Sequence, residues 1–500
     1  MRYYDKEIIQ GFNYIKKQAI KDCNKNRIDE SLSKIKQLHL VGNRLTWKYD
    51  DADLNNLIDD LSFKILGKQV KGNGVDSNNV VFYDQYGKAF ILALQYLEAL
   101  AEAGFNILYI LSDFVSAKPS DFIVDELKQY PNIRTVVIPS EWTVQKRAEE
   151  ILRLTVSFAP ARLFLHVKFF SVFNLVLPAL PKDIVNYYID LQDHAMWIKN
   201  HQIDYVIPYR IFGATVDLEK RGFNENQILL IPYYPITRNI PFNGFPMGLE
   251  DKVIIFTGGE LYKTISTKNF YWRLVYGILN ENPNAIVLYA IKGDCDNELL
   301  KKYKNSQESI RSRLIPIGFR NDIDEVFKHC DIYLGTSPMS GGLMSQYAAY
   351  YSKPILQFYP KDLSSNNETE QVLNYNGSGA ISFTDERKFL DEAKRLINDA
   401  SYRKMRGETI KSYLITREQF SSLLIKTIQD NKSHCFLERQ KIDYRALSNW
   451  WFSLEKAGVS HCRDYLLSIL KKKRYFVMPL SSLLFFLNSL FYYKLQNKAI

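Results

Sequence analysis

Short runs of consecutive apolar residues alternate with helical stripes over most of this chain. Val80–Tyr83 is such a run, Phe90–Ala103 carries apolar residues at helical spacing, Gly104 ends that stripe, and Ile107–Leu111 is the next run. Runs of this length read as strands and the stripe as a helix, so the three form a βαβ unit. Further strands are predicted at Arg134–Ser140, after the helical stripe WTVQKRAEEILRL at Ala161–Val167, and at Tyr205–Tyr209 and Ile228–Pro235. A second series repeats the alternation, with strands at Lys252–Gly259, Asn284–Ile291 and Arg313–Phe319 and a helix over about Asn269–Asn280. It closes with a helix over Asp322–Cys330, the strand Ile332–Leu334, the turn Ser340-Gly341-Gly342, a short helix and the strand Pro354–Phe358. Residues 1–75 and Asp385–Asp430 read as helical, and the Pro/Gly-containing stretch Pro232–Asp251 reads as a linker. Two successive α/β series imply two Rossmann-like domains facing a cleft, the α/β class. The expected limits are a helical extension over 1–77, a first domain over 78–240, a second over 250–415, and return helices with a tail over 416–500.

Composition narrows the function. At 500 residues the chain exceeds one typical domain, and 46% hydrophobic with 24% charged residues is a globular balance. A net charge of +10 favours anionic partners, but no nucleic-acid-binding motif accompanies it, so nucleic acid is not an expected partner. The cysteines (Cys23, Cys295, Cys330, Cys435 and Cys462) are scattered without disulfide or CxxC spacing, and no His/Cys/acid cluster has metal-ligand spacing. No metal or other cofactor is expected. The scattered cysteines suit a reducing compartment, and the first residues do not read as a secretion signal because no apolar core follows the charges, so a cytoplasmic setting, peripheral at the inner face of the cell membrane, is expected. The tail adds a second theme: four basic residues, Lys471–Arg474, precede an apolar stretch to Tyr493 that contains Pro479 and Asn488. This is the pattern of an interfacial anchor over residues 471–493 on an anionic membrane face, with a packed last helix and a true membrane span as the alternatives.

The Ser340-Gly341-Gly342 turn carries the sharpest chemistry. Glycines at a helix start clear side chains from backbone N–H groups, and the helix dipole adds positive charge there. At the mouth of an α/β unit this is a pyrophosphate seat. A tight turn without a ligand is the plainer alternative.

These residues resemble the GT-B glycosyltransferases over roughly residues 78–430. The segment FTGGELYKTISTKNFYWRLVYGILNENPNAIVLYA, with Gly258, Gly259 and Lys263, is similar to the LYK…P-N region of the O-GlcNAc-transferase-like group. In that group a lysine contacts the diphosphate of a UDP-sugar, so the resemblance implies Lys263, with Lys268 as its rival. It further implies Ser340, Gly341 and Gly342 on the diphosphate, Leu343 and Gln346 elsewhere on the donor, and Phe319 and Arg320 of GFRND on the nucleobase. Many relatives carry an acid on the first turn after the glycines, where it holds ribose; here Gln346 and Tyr347 stand at that place.

In the first half, Asp193-His194 with Trp197, Asp204 and Arg210 is similar to the D-H-x-x-W…D…R stretch of bacterial polysaccharide glycosyltransferases. That likeness implies His194 as a base or sugar contact, with Trp197 and Arg210 on the acceptor side. The turn after the first strand offers Asp84 as a weaker base and Gly87 as a close backbone approach. Together these imply metal-independent transfer of a sugar from a nucleotide sugar, a UDP-sugar, to a hydroxyl on a glycan or lipid-linked glycan in bacterial surface polysaccharide assembly. A nucleotide-sugar epimerase and a non-catalytic pseudo-transferase remain the alternatives.

Overall fold

The computed structural model describes residues 3–42, 48–72, 74–87, 92–112, 121–266, 270–292, 308–373, 381–456, 462–484 and 486. Two compact units divide the chain: residues 1–207, 216–228 and 460–500 in one, 208–215 and 229–459 in the other. The expected linker over Pro232–Asp251 therefore lies inside the second unit, and the return to the first comes near residue 460 rather than 416.

The first unit holds a sheet of β1 (Asp76–Asp84), β2 (Asn106–Leu111), β3 (Ile133–Val137), β4 (Pro160–His166), β5 (Val185–Asp190) and β6 (Tyr205–Pro208) in the order β3-β2-β1-β4-β5-β6. The pairings of β1 with β2 and β4 are parallel. Val80, Val81, Phe82 and Tyr83 are fully buried, as a central strand covered on both faces requires. Phe82 stacks on Phe164, and Phe164 on Tyr187 at a 4.8 Å centroid distance, so one aromatic row crosses three strands. Helices Tyr3–Asn24, Ile28–Gly42 and Ala52–Leu66 belong to this unit. Ser62 donates to the Leu175 carbonyl at 2.6 Å, tying the extension to the α/β body.

The second unit repeats the topology with β7 (Val253–Glu260), β8 (Ala285–Lys292), β9 (Leu314–Pro316), β10 (Ile332–Leu334), β11 (Ile355–Phe358) and β12 (Ser382–Phe383), ordered β12-β11-β10-β7-β8-β9. In both sheets the order reverses beside the first strand, between β1 and β4 and between β7 and β10. Ligands bind α/β sheets at the carboxyl ends of the strands at such switch points.

Two expectations need correction, and one strand was not foreseen. Ile228–Pro235 forms no strand beyond a single bridge from Ile228 to Val206. Pro232 and Pro235 lack the N–H groups that a sheet interior needs. The strand expected over Arg313–Phe319 stops at Pro316, since Gly318 turns to φ +66° and carries Phe319 out to solvent at 80% exposure. Val185–Asp190, not singled out among the expected strands, is a full strand of the sheet.

Candidate donor site and acceptor-side residues

In the second unit, β7 delivers Gly258 and Gly259, and a single 3-10 turn, Leu261–Thr264, follows with Lys263 on it. A Cβ at Gly258 would stand 3.0 Å from Phe256 Cζ and 3.3 Å from the Ala290 carbonyl, so close packing excludes a side chain there. Across the switch point, β10 leads to Ser340 and Gly341, and Gly341 caps the helix Gly342–Tyr350. The half-buried Lys263 donates from Nζ to the Ser340 carbonyl at 3.1 Å, and Met339 N donates back to the Lys263 carbonyl at 3.3 Å. A Cβ on Gly341 would lie 3.8 Å from Lys263 Nζ. The structure thus brings the ammonium and the glycine turn together at the mouth of one sheet. Lys268 lies outside the described residues.

Around this pair some expected contacts hold other positions. Gln346 donates from Nε2 to the Tyr233 carbonyl, leaving a buried Oε1 with no partner among the described residues, and Tyr347 donates to the Ile236 carbonyl at 2.6 Å. Both therefore tie the 229–240 segment to the helix, with Leu343 half-exposed on its first turn. Arg320 is likewise engaged. It donates from Nε to Asp322 Oδ1 at 2.7 Å, from Nη2 to Oδ2, and from Nη1 to the Gly244 carbonyl at 2.8 Å. Burial raises the Asp322 carboxyl, but bonds from Arg320 and Asn243 N outweigh it and hold the group below its usual range. Arg320 is a loop clamp rather than a base reader; Phe319 remains the open aromatic.

Arg210, expected on the acceptor side, belongs to the second unit and donates to Asn366 Oδ1 at 3.0 Å. Two residues further on, Glu368 lies against the glycine turn, a neighbour that sequence reading did not single out. Its Oε1 accepts from Tyr209 OH at 3.0 Å.

In the first unit, the Asp193–Trp197 motif is mostly framework. Trp197 is fully buried, stacked on Tyr188 at 3.9 Å, and lies under the Arg221 guanidinium. Arg221 donates to Asp190 at 2.6 Å, to Asp217 at 2.7 Å and to the Ala195 carbonyl at 2.7 Å, which pins the loop. Trp197 is therefore a packing residue, not an acceptor contact. His194 keeps 23% side-chain exposure, with Nδ1 3.4 Å from the buried Asp193. Burial and the nearby Asp190 push the Asp217 carboxyl well above its usual range, against the pull of Arg221.

Asp84 is fully buried and saturated. It accepts from Tyr109 OH at 2.8 Å, from the N–H groups of Tyr86 and Gly87, and pairs with His166 Nδ1 at 2.8 Å. Such a carboxylate has no lone pair free for an acceptor hydroxyl. Gly87, at φ +48°, turns its N–H onto that carboxylate. His166 was missed because it ends an apolar run, and only the parallel register of β1 with β4 sets it opposite Asp84.

No family model matches the sequence, and no curated protein matches it. Solved structures do. A mutant O-GlcNAc transferase of Thermobaculum terrenum superposes with a TM-score of 0.51 at 15% identity, over 86% of this chain and 82% of that one. HepE of Anabaena, solved with UDP and glucose, gives 0.48 at 12% identity over 70% of this chain and 99% of its own. A glycosyltransferase of Rickettsia africae gives 0.49 at 12% identity, over 71% and 99%. The likeness to the Thermobaculum enzyme, together with two parallel sheets of the same topology, establishes a GT-B-type fold.

Proposed function

We propose that this chain is a metal-independent glycosyltransferase that moves a sugar from a UDP-sugar to a hydroxyl acceptor. The observation that carries the reading is the meeting of Lys263 with the Ser340-Gly341-Gly342 turn at the β7/β10 switch point. Cleavage of a sugar–phosphate bond leaves a diphosphate with added negative charge, and catalysis requires that charge to be stabilised more in the transition state than in the ground state. An ammonium beside a helix N-terminus supplies that stabilisation without a divalent cation. An O-GlcNAc transferase built on the same fold supports the assignment of reaction class. Phe319 offers its open face to the base, and His194, the partly exposed imidazole, takes the proton of the acceptor hydroxyl.

The acceptor is a glycan or lipid-linked glycan at an anionic membrane face, in bacterial surface polysaccharide assembly. Among the described residues no helix is long and apolar enough to cross a membrane. Of the tail, residues 471–484 and 486 are described and the rest of the stretch to 493 lies outside the described residues; Glu7 of the first helix accepts from Leu480 N at 2.8 Å and Ser481 N at 2.7 Å. The tail's outer face presents Lys471, Lys472 and Lys473 with Tyr475 and Phe476, the last 90% exposed. Cations beside exposed aromatics suit a lipid headgroup layer.

The test is a panel of nucleotide sugars screened by thermal shift, followed by product analysis with and without a glycan acceptor. The reading expects a UDP-sugar to raise the melting temperature most and the sugar to appear on the acceptor. An epimerised donor formed without acceptor would overturn it, as would a panel in which no nucleotide sugar shifts the melt.

A further inference from the structure

The ammonium of Lys263 is placed by a short 3-10 turn, Leu261–Thr264, and a turn of that length carries few bonds of its own. Its first three carbonyls find partners nearby. Leu261 O accepts from Thr264 Oγ1 at 2.8 Å, Tyr262 O from Ile265 N at 3.2 Å and Lys263 O from Met339 N at 3.3 Å. Trp272 Nε1 donates to Thr264 Oγ1 at 3.2 Å. Where the turn ends, the carbonyl of the buried Ile265 accepts at 2.9 Å from the indole N–H of Trp450, 185 residues further on.

Trp450 lies on the helix Tyr444–Lys456, which sequence reading placed among the return helices but which belongs to the second unit. It is buried, and its ring meets that of Trp451 at 4.8 Å. Trp451 in turn meets Tyr262, the residue before Lys263, at 5.9 Å. The two indoles thus hold the turn on both sides of Lys263, by a ring contact at Tyr262 and a hydrogen bond at Ile265. The same stretch fastens the other half of the seat. Gln440 donates from Nε2 to the Ser365 carbonyl at 3.0 Å. Ser365 is on the turn Lys361–Asn366, which runs into the helix Glu368–Leu373, where Thr369 N donates to Ser340 Oγ at 3.1 Å. Residues 440–451 are therefore a strap, tied at one end to the loop behind Ser340 and at the other to the turn of Lys263.

Lys263 serves a diphosphate only where it stands, bonded to the Ser340 carbonyl and beside Gly341. Attraction between charges falls with distance, and a turn without an anchor must be ordered as the ligand binds. Phenylalanine in place of Trp450 supplies a ring but no N–H, so the Ile265 carbonyl loses its donor and the turn its anchor. We propose that Trp450 is a positioning residue of the donor site, holding the turn of Lys263 so that the ammonium stands ready for the diphosphate. Trp451 and Gln440 brace the same arrangement. This rests on the donor-site reading above.

The experiment is a double-mutant cycle. UDP binding to the full chain is measured by calorimetry for wild type, Lys263→Met, Trp450→Phe and the double variant, with a thermal melt of each. Trp450→Phe is expected to weaken UDP by about 3- to 10-fold, the scale of ordering one freed side chain on binding. In the Lys263→Met background the same change is expected to add nothing, because Trp450 acts through the ammonium. A merely structural tryptophan lowers the melting temperature and weakens UDP equally in both backgrounds or in neither. Either result in a folded Trp450→Phe, with Lys263→Met still weakening UDP, overturns the role of Trp450 and leaves the donor site standing. If Trp450→Phe fails to fold, Trp451→Leu carries the same cycle, since it removes the ring beside Tyr262 from a half-buried position. UDP binding indifferent to Lys263→Met overturns the donor site itself, and the role of Trp450 with it.

Discussion

Replacing Lys263 by methionine removes the ammonium and keeps much of the stem. Nζ is 3.1 Å from the Ser340 carbonyl and 3.8 Å from where a Cβ on Gly341 would be, so an anion seated on the turn lies about 3–4 Å from it. At about 4 Å two unit charges interact by ~1 kcal/mol in bulk water and ~4 kcal/mol at an effective dielectric near 20. Lys263 is half-buried, which places it between those limits. A hydrogen bond to a charged group contributes about 1.5–3 kcal/mol, within the same bracket. That corresponds to a loss of about 10- to 150-fold in affinity for UDP. The same change breaks the Lys263–Ser340 bond, a neutral-acceptor contact expected to cost about 1 kcal/mol of folding stability. For a domain of this size that lowers the melting temperature by about 2–4 °C. Calorimetric titration of UDP, repeated at two salt concentrations, reads the first effect, and a thermal melt without ligand reads the second. The wild-type advantage should shrink at high salt, because a half-exposed charge is screened. Lys263→Met that binds UDP within twofold of wild type, with its fold intact, refutes the donor assignment.

His194→Gln should lower transfer by about 10²–10⁴-fold, the usual scale of general base catalysis, with UDP affinity unchanged. Asp84→Asn should instead cost about 2–4 kcal/mol of stability in a denaturant melt, because an amide cannot accept all the bonds this buried carboxylate receives. Equal loss of turnover in both variants without destabilisation would contradict that division. Asp217 titrates higher in the folded chain than its ordinary 3.8, so folding favours its protonated form. Its stabilising contribution is full below that ordinary value and is lost as pH rises through the raised folded one. Asp217→Asn should therefore gain melting temperature relative to wild type between pH 4 and pH 8, and parallel curves would count against it. Vesicles containing anionic lipid should sediment the full chain, whereas neutral vesicles should not. Phe476→Ser combined with Lys471→Glu and Lys472→Glu should abolish that binding, and retained binding would exclude the tail.

The apolar runs and helical stripes alone were enough to announce two α/β series and most of their strands, because a parallel strand buried on both faces must be apolar along its whole length. The Ser340-Gly341-Gly342 turn and Lys263 were legible as well, since an anion seat needs particular residue types at a helix start. Other assignments depended on neighbours far along the chain. Nothing local says that Arg210 answers Asn366, that Arg221 clamps the loop holding His194, or that Trp197 lies beneath it. Nor does local pattern show Asp84 facing His166, a meeting made by strands 82 residues apart. Glu368 is the sharpest case, because its sequence neighbourhood is an ordinary helix start and only the folding of β11 beside β10 carries it onto Gly342. Sequence periodicity encodes which face of an element is buried. Which side chains share a site depends on how sheet order and crossovers bring separate strand ends together, and only the tertiary structure decides that.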